Sequence, residues 1–252
     1  MFKDLHRNEK PLIICNVWDV ASALIAEQQG FSAIGTSSAA IASMLGQEDG
    51  EQIEFQQLLS IVDSICKASS LPLTVDIESG YGDTPQTIAN NIIQLAELGV
   101  VGINIEDSVV VDGQRALCDA ESFGRTLQSV TTQLNNAGVE VFINVRSDTY
   151  LLNVDNTLKA SIERANIYQN SGADGLFLPC IQQPNDIKKV VNSTALPVNV
   201  MCVPDLPDFA TLEKLGVKRI SMGNYVHQAM LASLSSKLIS IVKENSFSPL
   251  FV

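Results

Sequence analysis

The 252-residue sequence has only two histidines, His6 and His227, and no Cys-x-x-Cys pair. A zinc centre needs closely spaced Cys or His ligands, so that class is set aside. The five cysteines (Cys15, Cys66, Cys118, Cys180, Cys202) are scattered and odd in number. The first ten residues are polar and lack the apolar core of a secretory signal, so the thiols read as reduced and the protein as cytoplasmic. No apolar run approaches the ~20 residues of a membrane span. Basic residues are also scarce: 16 Lys and Arg against 28 Asp and Glu give a formal net charge of -12. That balance argues against nucleic acid or an anionic membrane as main partner. It leaves room for a small anionic substrate, because a bound cation and an arginine can reverse the field inside one pocket. No low-complexity segment, charge block or Pro/Ser-rich linker divides the chain, so one domain over residues 1–252 is expected.

What is present is a rhythm. A hydrophobic share of 46% supplies a full core. Short apolar runs near residues 12–15, 32–36, 71–75, 100–105, 139–145, 175–178, 197–201 and 218–222 read as strands. Each is followed by a helical pattern; the second of these is expected only after a loop over residues 46–50 and the last is a long helix over 225–243. Asp19 suits a helix N-cap, Pro85 the first turn of a helix, and Gly30, Gly99, Gly172 and Gly216 stop helices. Residues 108–119 read as a polar loop. Eight alternating βα units imply a closed (β/α)8 barrel of the TIM type, with an extended C-terminal helical segment. An open doubly wound sheet would more often carry a G-x-G-x-x-G turn after its first strand, and Asn16-Val17-Trp18-Asp19 is not one.

Active sites of such barrels lie at the C-terminal strand ends. Here those ends carry Asn16, Thr36-Ser37-Ser38, Asp76 and Glu78, Glu106-Asp107, Arg146, Pro179-Cys180 and Gly223-Asn224, while the 46–50 loop adds Glu48 and Asp49. Alternate strand residues share a face, so Asp76 and Glu78 are expected to point the same way. Several buried carboxylates together need protons or a cation. Oxygen donors without histidine suit a hard ion such as Mg²⁺ or Mn²⁺. Arg146 is placed to fork a substrate carboxylate. Ser37 has no base partner and reads as a hydrogen-bond donor, and Cys118 has no paired histidine for a nucleophilic role. Asp107 has a structural alternative, capping the following loop. Trp18 is a candidate for substrate contact, with packing as its alternative. His6 is expected to be solvated and His227 structural or interfacial.

The ordered set Asn16-Val17-Trp18-Asp19, Gly35-Thr36-Ser37-Ser38, Asp76-Ile77-Glu78-Ser79-Gly80-Tyr81-Gly82, Gly102-Ile103-Asn104-Ile105-Glu106-Asp107 and Asn144-Val145-Arg146-Ser147-Asp148 resembles the isocitrate lyase/phosphoenolpyruvate mutase superfamily over nearly the whole chain. The resemblance implies a (β/α)8 barrel that binds Mg²⁺ and a 2-oxo acid or its enolate. It implies Asp76 as the direct metal ligand, with Asp49, Glu78 and Glu106 holding metal-bound waters. It implies Ser37, Ser38 and Arg146 as binders of the substrate carboxylate. It further implies a homo-oligomer, dimer or tetramer, whose C-terminal helices from about residue 225 are exchanged between subunits.

The departures concern acid/base chemistry. The lyases' K-[KR]-C-G-H loop is replaced by Ser108-Val109-Val110-Val111-Asp112-Gly113-Gln114-Arg115-Ala116-Leu117-Cys118, and Pro179 stands where a histidine or glutamate is expected. The metal and carboxylate site is retained, with Arg146, Glu106 and Asp49 as its reactive groups. Three functions follow. The first is a Mg²⁺-dependent lyase or decarboxylase of a small 2-oxo or 2-hydroxy (di)carboxylic acid, acting through a metal-stabilised enolate. The second is phosphonopyruvate-type P–C chemistry, and the third a 2-oxo-acid-binding protein with degenerate catalysis.

Overall fold

The computed structural model describes residues 2–50 and 52–251. Eleven strands and ten α-helices occur among the described residues. The strands are β1 (Leu12–Ile13), β2 (Cys15–Val17), β3 (Ile34–Thr36), β4 (Leu73–Asp76), β5 (Gly102–Glu106), β6 (Ser108–Val111), β7 (Gln114–Leu117), β8 (Phe142–Arg146), β9 (Gly175–Leu178), β10 (Val198–Met201) and β11 (Arg219–Ser221). The helices are α1 (Phe2–Leu5), α2 (Val20–Gln28), α3 (Ser38–Met44), α4 (Phe55–Ala68), α5 (Pro85–Glu97), α6 (Ala120–Asn136), α7 (Thr157–Asn170), α8 (Pro184–Val191), α9 (Phe209–Leu215) and α10 (Tyr225–Glu244). A 3₁₀ turn over Ser248–Phe251 follows.

Nine strands form one parallel sheet in the order β1-β11-β10-β9-β8-β5-β4-β3-β2. β1 and β2 are two halves of one strand, separated only by Ile14. β1 pairs with β11 and β2 pairs with β3. The first strand therefore changes partner midway and closes the sheet into the expected eight-stranded barrel. Asn16 secures the closure: its Oδ1 accepts from Met222 N (2.7 Å) and Gly223 N (3.0 Å), and its Nδ2 donates to Thr36 O (3.0 Å).

The main apolar core lies between sheet and helices. Val75, Ile103, Val145, Leu176 and Val200 from the strands meet Leu58, Val62, Ile92, Leu127 and Ile187 from the helices. Alternate strand residues face the barrel interior, which here is polar. Arg219 on β11 donates to Asn104 on β5 (3.3 Å), although those strands are not neighbours, so the contact crosses the barrel. Asn144 donates to the same Asn104 oxygen (2.9 Å).

Three local features differ from expectation. Residues 108–117 form an antiparallel hairpin of β6 and β7. Its turn is Asp112-Gly113, both at positive φ (51° and 74°), the geometry a two-residue hairpin loop requires. Ser37 is followed directly by α3, a helix not expected ahead of the 46–50 loop. His6 is buried (4% exposed) and stacked on Phe142 at 4.0 Å rather than solvated. His227 is buried against Trp18, a structural position.

Candidate active site

The strands' C-terminal ends surround a cavity of about 190 Å³. Its lining includes Asn16, Ser37, Ser38, Asp49, Asp76, Asn104, Arg115, Arg146, Pro179, Ser221 and Asn224. Of the larger hollows, those around Lys10 and Phe31 and around His6 and Lys218 gather no cluster of carboxylates, whereas one adjoining the mouth carries Glu78, Asp83 and Glu106.

Asp76 ends β4. Its backbone N–H donates to Thr36 Oγ1 (2.8 Å), and Ser38 Oγ donates to its Oδ2 (3.0 Å). Burial raises its pKa, Arg146 opposes the rise, and Asp49 adds to it. Ser37 caps α3, its Oγ accepting from Ala40 N (3.3 Å). The hydroxyl proton remains available to donate towards the cavity.

Glu78 does not share Asp76's face. The strand stops at Asp76, and Glu78 takes a left-handed conformation (φ 49°), so two-residue alternation no longer applies. Gly80 holds the next bend at φ 117°, where a Cβ would come within 2.8 Å of Ile88. Glu78 accepts from the Tyr81 hydroxyl (2.9 Å) and lines an adjoining hollow that it shares with Glu106 and Ser108.

Glu106 ends β5 and is buried. Burial above all pushes it up to about 8, against the pull of Arg146 and Arg115 and with help from Asp148 and Asp76. Arg146, at the end of β8, lies 2.9 Å from Glu106 Oε2, an oxygen that receives no hydrogen bond of good geometry. Its Nε and Nη2 donate to the two oxygens of Asp148 (2.6 and 3.1 Å). Burial works against the Arg146 charge, but Glu106, Asp148 and Asp76 outweigh it and hold its pKa above the ordinary arginine value. The forked edge expected to face a substrate is thus taken by Asp148.

Two residues to which the sequence reading gave no role complete the mouth. Asp148 is fully buried and also accepts from Ser108 Oγ (2.6 Å). Arg115 reaches in from β7: its Nη1 donates to Glu106, to Ser108 Oγ (2.9 Å) and to Asp148 (3.2 Å), and its Nη2 lies 3.4 Å from Asp49. Alternation along the hairpin gave a signal for it. Arg115 lies opposite Val110, on the strand face shared with Ser108, whereas Val109 and Val111 are exposed.

Asp107 turns away from the mouth. It is fully buried and accepts from Ser147 Oγ, Arg164 Nη1, Tyr168 Oη and Asp148 N. This is the structural role, as scaffold rather than as a cap. Trp18 also stands outside the cavity, packed edge-on against His227 at 4.8 Å, so its substrate contact gives way to packing. Cys118 is held in the backbone network of Asp107 and Arg164, and burial raises its thiol pKa. All five cysteines are unpaired.

Among the described residues, no three His, Cys, Asp or Glu side chains converge as direct ligands of one ion. The four expected carboxylates therefore do not form a coordination cage. Mg²⁺ does not demand one, since it keeps several waters and takes one or two carboxylates. Four carboxylates at the mouth (Asp49, Asp76, Glu106, Asp148) outnumber two guanidiniums (Arg115, Arg146), and Glu106 Oε2 is a buried acceptor without a hydrogen-bond donor. This surplus of carboxylates fits a divalent cation, which Asp76 would hold.

The family model for phosphoenolpyruvate phosphomutase matches residues 2–242. The chain belongs to that family. An uncharacterized protein of Mycobacterium tuberculosis is 34% identical over 91% of this chain and 84% of its own length. The oxaloacetate decarboxylase of Rhodopseudomonas palustris is 26% identical over 92% and 80%. A Burkholderia cenocepacia structure provisionally assigned as a phosphonomutase superposes with a TM-score of 0.88, at 36% identity over 95% and 97% of the two chains. The relatives are lyases and mutases of the isocitrate lyase/phosphoenolpyruvate mutase superfamily, as the sequence motifs implied. Among the described residues no helix is long and apolar enough to cross a membrane.

Proposed function

We propose that this chain is a Mg²⁺-dependent lyase or decarboxylase that breaks a C–C bond in a small 2-oxo or 2-hydroxy (di)carboxylic acid through an enolate. The observation that carries this reading is the cavity's lining, which among the described residues has carboxylates, hydroxyls and two arginines and no lysine, histidine or cysteine. Such a site offers charge stabilisation and little positioned acid/base chemistry. Decarboxylation of a 2-oxo diacid suits it. The bond to the departing carboxylate breaks, CO₂ leaves, and its electron pair moves into the 2-oxo group to give an enolate. A proton from solvent or a raised-pKa carboxyl such as Glu106 then restores the C–H bond. A bound Mg²⁺ would supply electrostatic stabilisation of the enolate oxygen. Asp76, Glu106 and Asp49 would hold the cation and its waters. Ser37, and Ser38 once its hydroxyl turns from Asp76, would donate to the substrate carboxylate, and the fixed Arg146 charge would favour the anion.

Oxaloacetate decarboxylase among the relatives supports this reading. The phosphonomutase-like neighbour at 36% identity favours a second one, P–C chemistry on phosphonopyruvate. Pro179 in the lining, where an acid/base residue would stand, weighs against it. A binding protein with degenerate catalysis is the third. Cytoplasmic residence and homo-oligomerisation belong to the same proposal. The support for oligomerisation is the apolar surface of α10 and the following turn, where Leu234, Leu238, Ile239, Val242, Phe247 and Phe251 are exposed.

The test is a panel with Mg²⁺: oxaloacetate, 2-methylisocitrate, isocitrate, dimethylmalate and phosphonopyruvate, followed for pyruvate, glyoxylate or phosphate. Turnover of a carbon substrate is expected. Phosphate from phosphonopyruvate would replace this reading with the second, and binding without turnover would replace it with the third.

A further inference from the structure

Resting on the reading of the cavity as a 2-oxo-acid site, we infer that Arg115 recognises a second carboxylate of the substrate, so that the β6–β7 hairpin selects diacids over monoacids. The two guanidiniums of the cavity are not equivalent. Arg146 spends its Nε and Nη2 on Asp148 and its Nη1 on Glu106, which fixes it in place and occupies its fork. Arg115 concentrates its protein contacts on one nitrogen, Nη1, which serves Glu106, Ser108 and Asp148. Among the described residues its Nη2 has a single contact, 3.4 Å to Asp49, whose side chain is 37% exposed. A hydrogen bond that long contributes little and is readily exchanged for a better acceptor.

Arg115 therefore reaches the cavity with its position fixed through Nη1 and donor capacity left on Nη2. A planar fork held at one corner suits a carboxylate, which accepts from parallel N–H groups. The carrier is a separate two-stranded ribbon rather than a barrel strand, with Val110 packed against Gly50 of the loop that bears Asp49. The cavity's small volume brings any bound acid close to this edge. A monocarboxylate held by Ser37 and Ser38 has nothing to offer Arg115, whereas the far carboxylate of a diacid does.

The test is calorimetric titration, in Mg²⁺ buffer, of wild type, Arg115→Gln and Arg115→Lys with two ligands sharing a 2-oxo acid head. Pyruvate has one carboxylate and 3,3-difluorooxaloacetate has two. Losing a charge-assisted hydrogen bond should weaken difluorooxaloacetate about 10- to 100-fold in Arg115→Gln. Pyruvate should change less than about twofold. Arg115→Lys keeps the charge without the fork and should recover only part of the loss. Equal weakening of both ligands, or none, or full recovery in Arg115→Lys would overturn the inference while leaving the 2-oxo-acid reading intact. Failure of wild type to bind either ligand would overturn both. Matched circular dichroism melts of the three proteins establish that the ribbon's substitution leaves the barrel folded.

Discussion

Replacing Asp107 by asparagine tests the division of labour between the adjacent acids Glu106 and Asp107. One oxygen of Asp107, Oδ2, accepts from Ser147 Oγ (2.7 Å), Arg164 Nη1 (2.8 Å) and Tyr168 Oη (2.6 Å), while Oδ1 accepts from Asp148 N (3.1 Å). Asparagine has one acceptor oxygen, so its amide N–H₂ must face either three donors or the backbone N–H of Asp148. Arg164 has no other carboxylate partner among the described residues, and its side chain is only 12% exposed. Removing one member of such a buried pair costs about 3–5 kcal/mol, because the remaining charge is left uncompensated. In a chain of this length each kcal/mol lowers the melting temperature by roughly 2–4 °C, so a fall of about 6–20 °C is expected. Thermal unfolding followed by circular dichroism measures it, alongside Arg164→Met and the double variant. The double should cost well under the sum of the singles, since the second substitution removes the stranded partner. A loss below ~1 kcal/mol for Asp107→Asn, or additive singles within ~0.5 kcal/mol, would refute the reasoning.

Two further predictions concern pH. His6 is held down at about 4 by burial and by Arg219, against 6.5 when free, so it is neutral in the folded chain. Its contribution is present above pH 6.5 and is lost as pH falls through 4, about 3 kcal/mol in all. His6→Phe keeps the stack on Phe142 and should flatten that acid limb in a series of melts; an unchanged slope would contradict the assignment. Glu106, raised to about 8, works the other way. Its contribution is present below the ordinary carboxylate range and is lost as pH rises through 8, so Glu106→Gln should flatten the alkaline limb of metal-free protein. A steeper limb in that variant would show that the Arg115 and Arg146 pairs keep Glu106 ionised.

The barrel was legible because its signals are local. Apolar runs, the Asp19 cap, Pro85 in a first turn and glycine stops recur in order, and the structure places strands and helices within a few residues of those marks. The acids at the ends of β4 and β5 and Arg146 at the end of β8 followed from the same rhythm. What sequence could not supply was direction beyond the strand. Glu78 turns aside because its backbone enters the left-handed region, and Asp107 faces outward because Arg164, 57 residues away, meets it there. Arg115 was missed for a nearer reason: Asp112-Gly113 between β-branched and alternating residues is a hairpin signal, and reading the segment as a loop hid the inward position of Arg115. Asp148 was visible at a strand end, but its pairing with Arg115 depends on the hairpin folding onto the end of β8.

If the mouth binds a divalent cation at Asp76 together with a 2-oxo acid, electron paramagnetic resonance will register it when Mn²⁺ is titrated into wild type and Asp76→Asn with and without pyruvate. One site is expected in wild type, tightened by pyruvate, and none in a folded Asp76→Asn protein. Equal Mn²⁺ affinity in both proteins, or no binding to wild type, would contradict a cation site at Asp76.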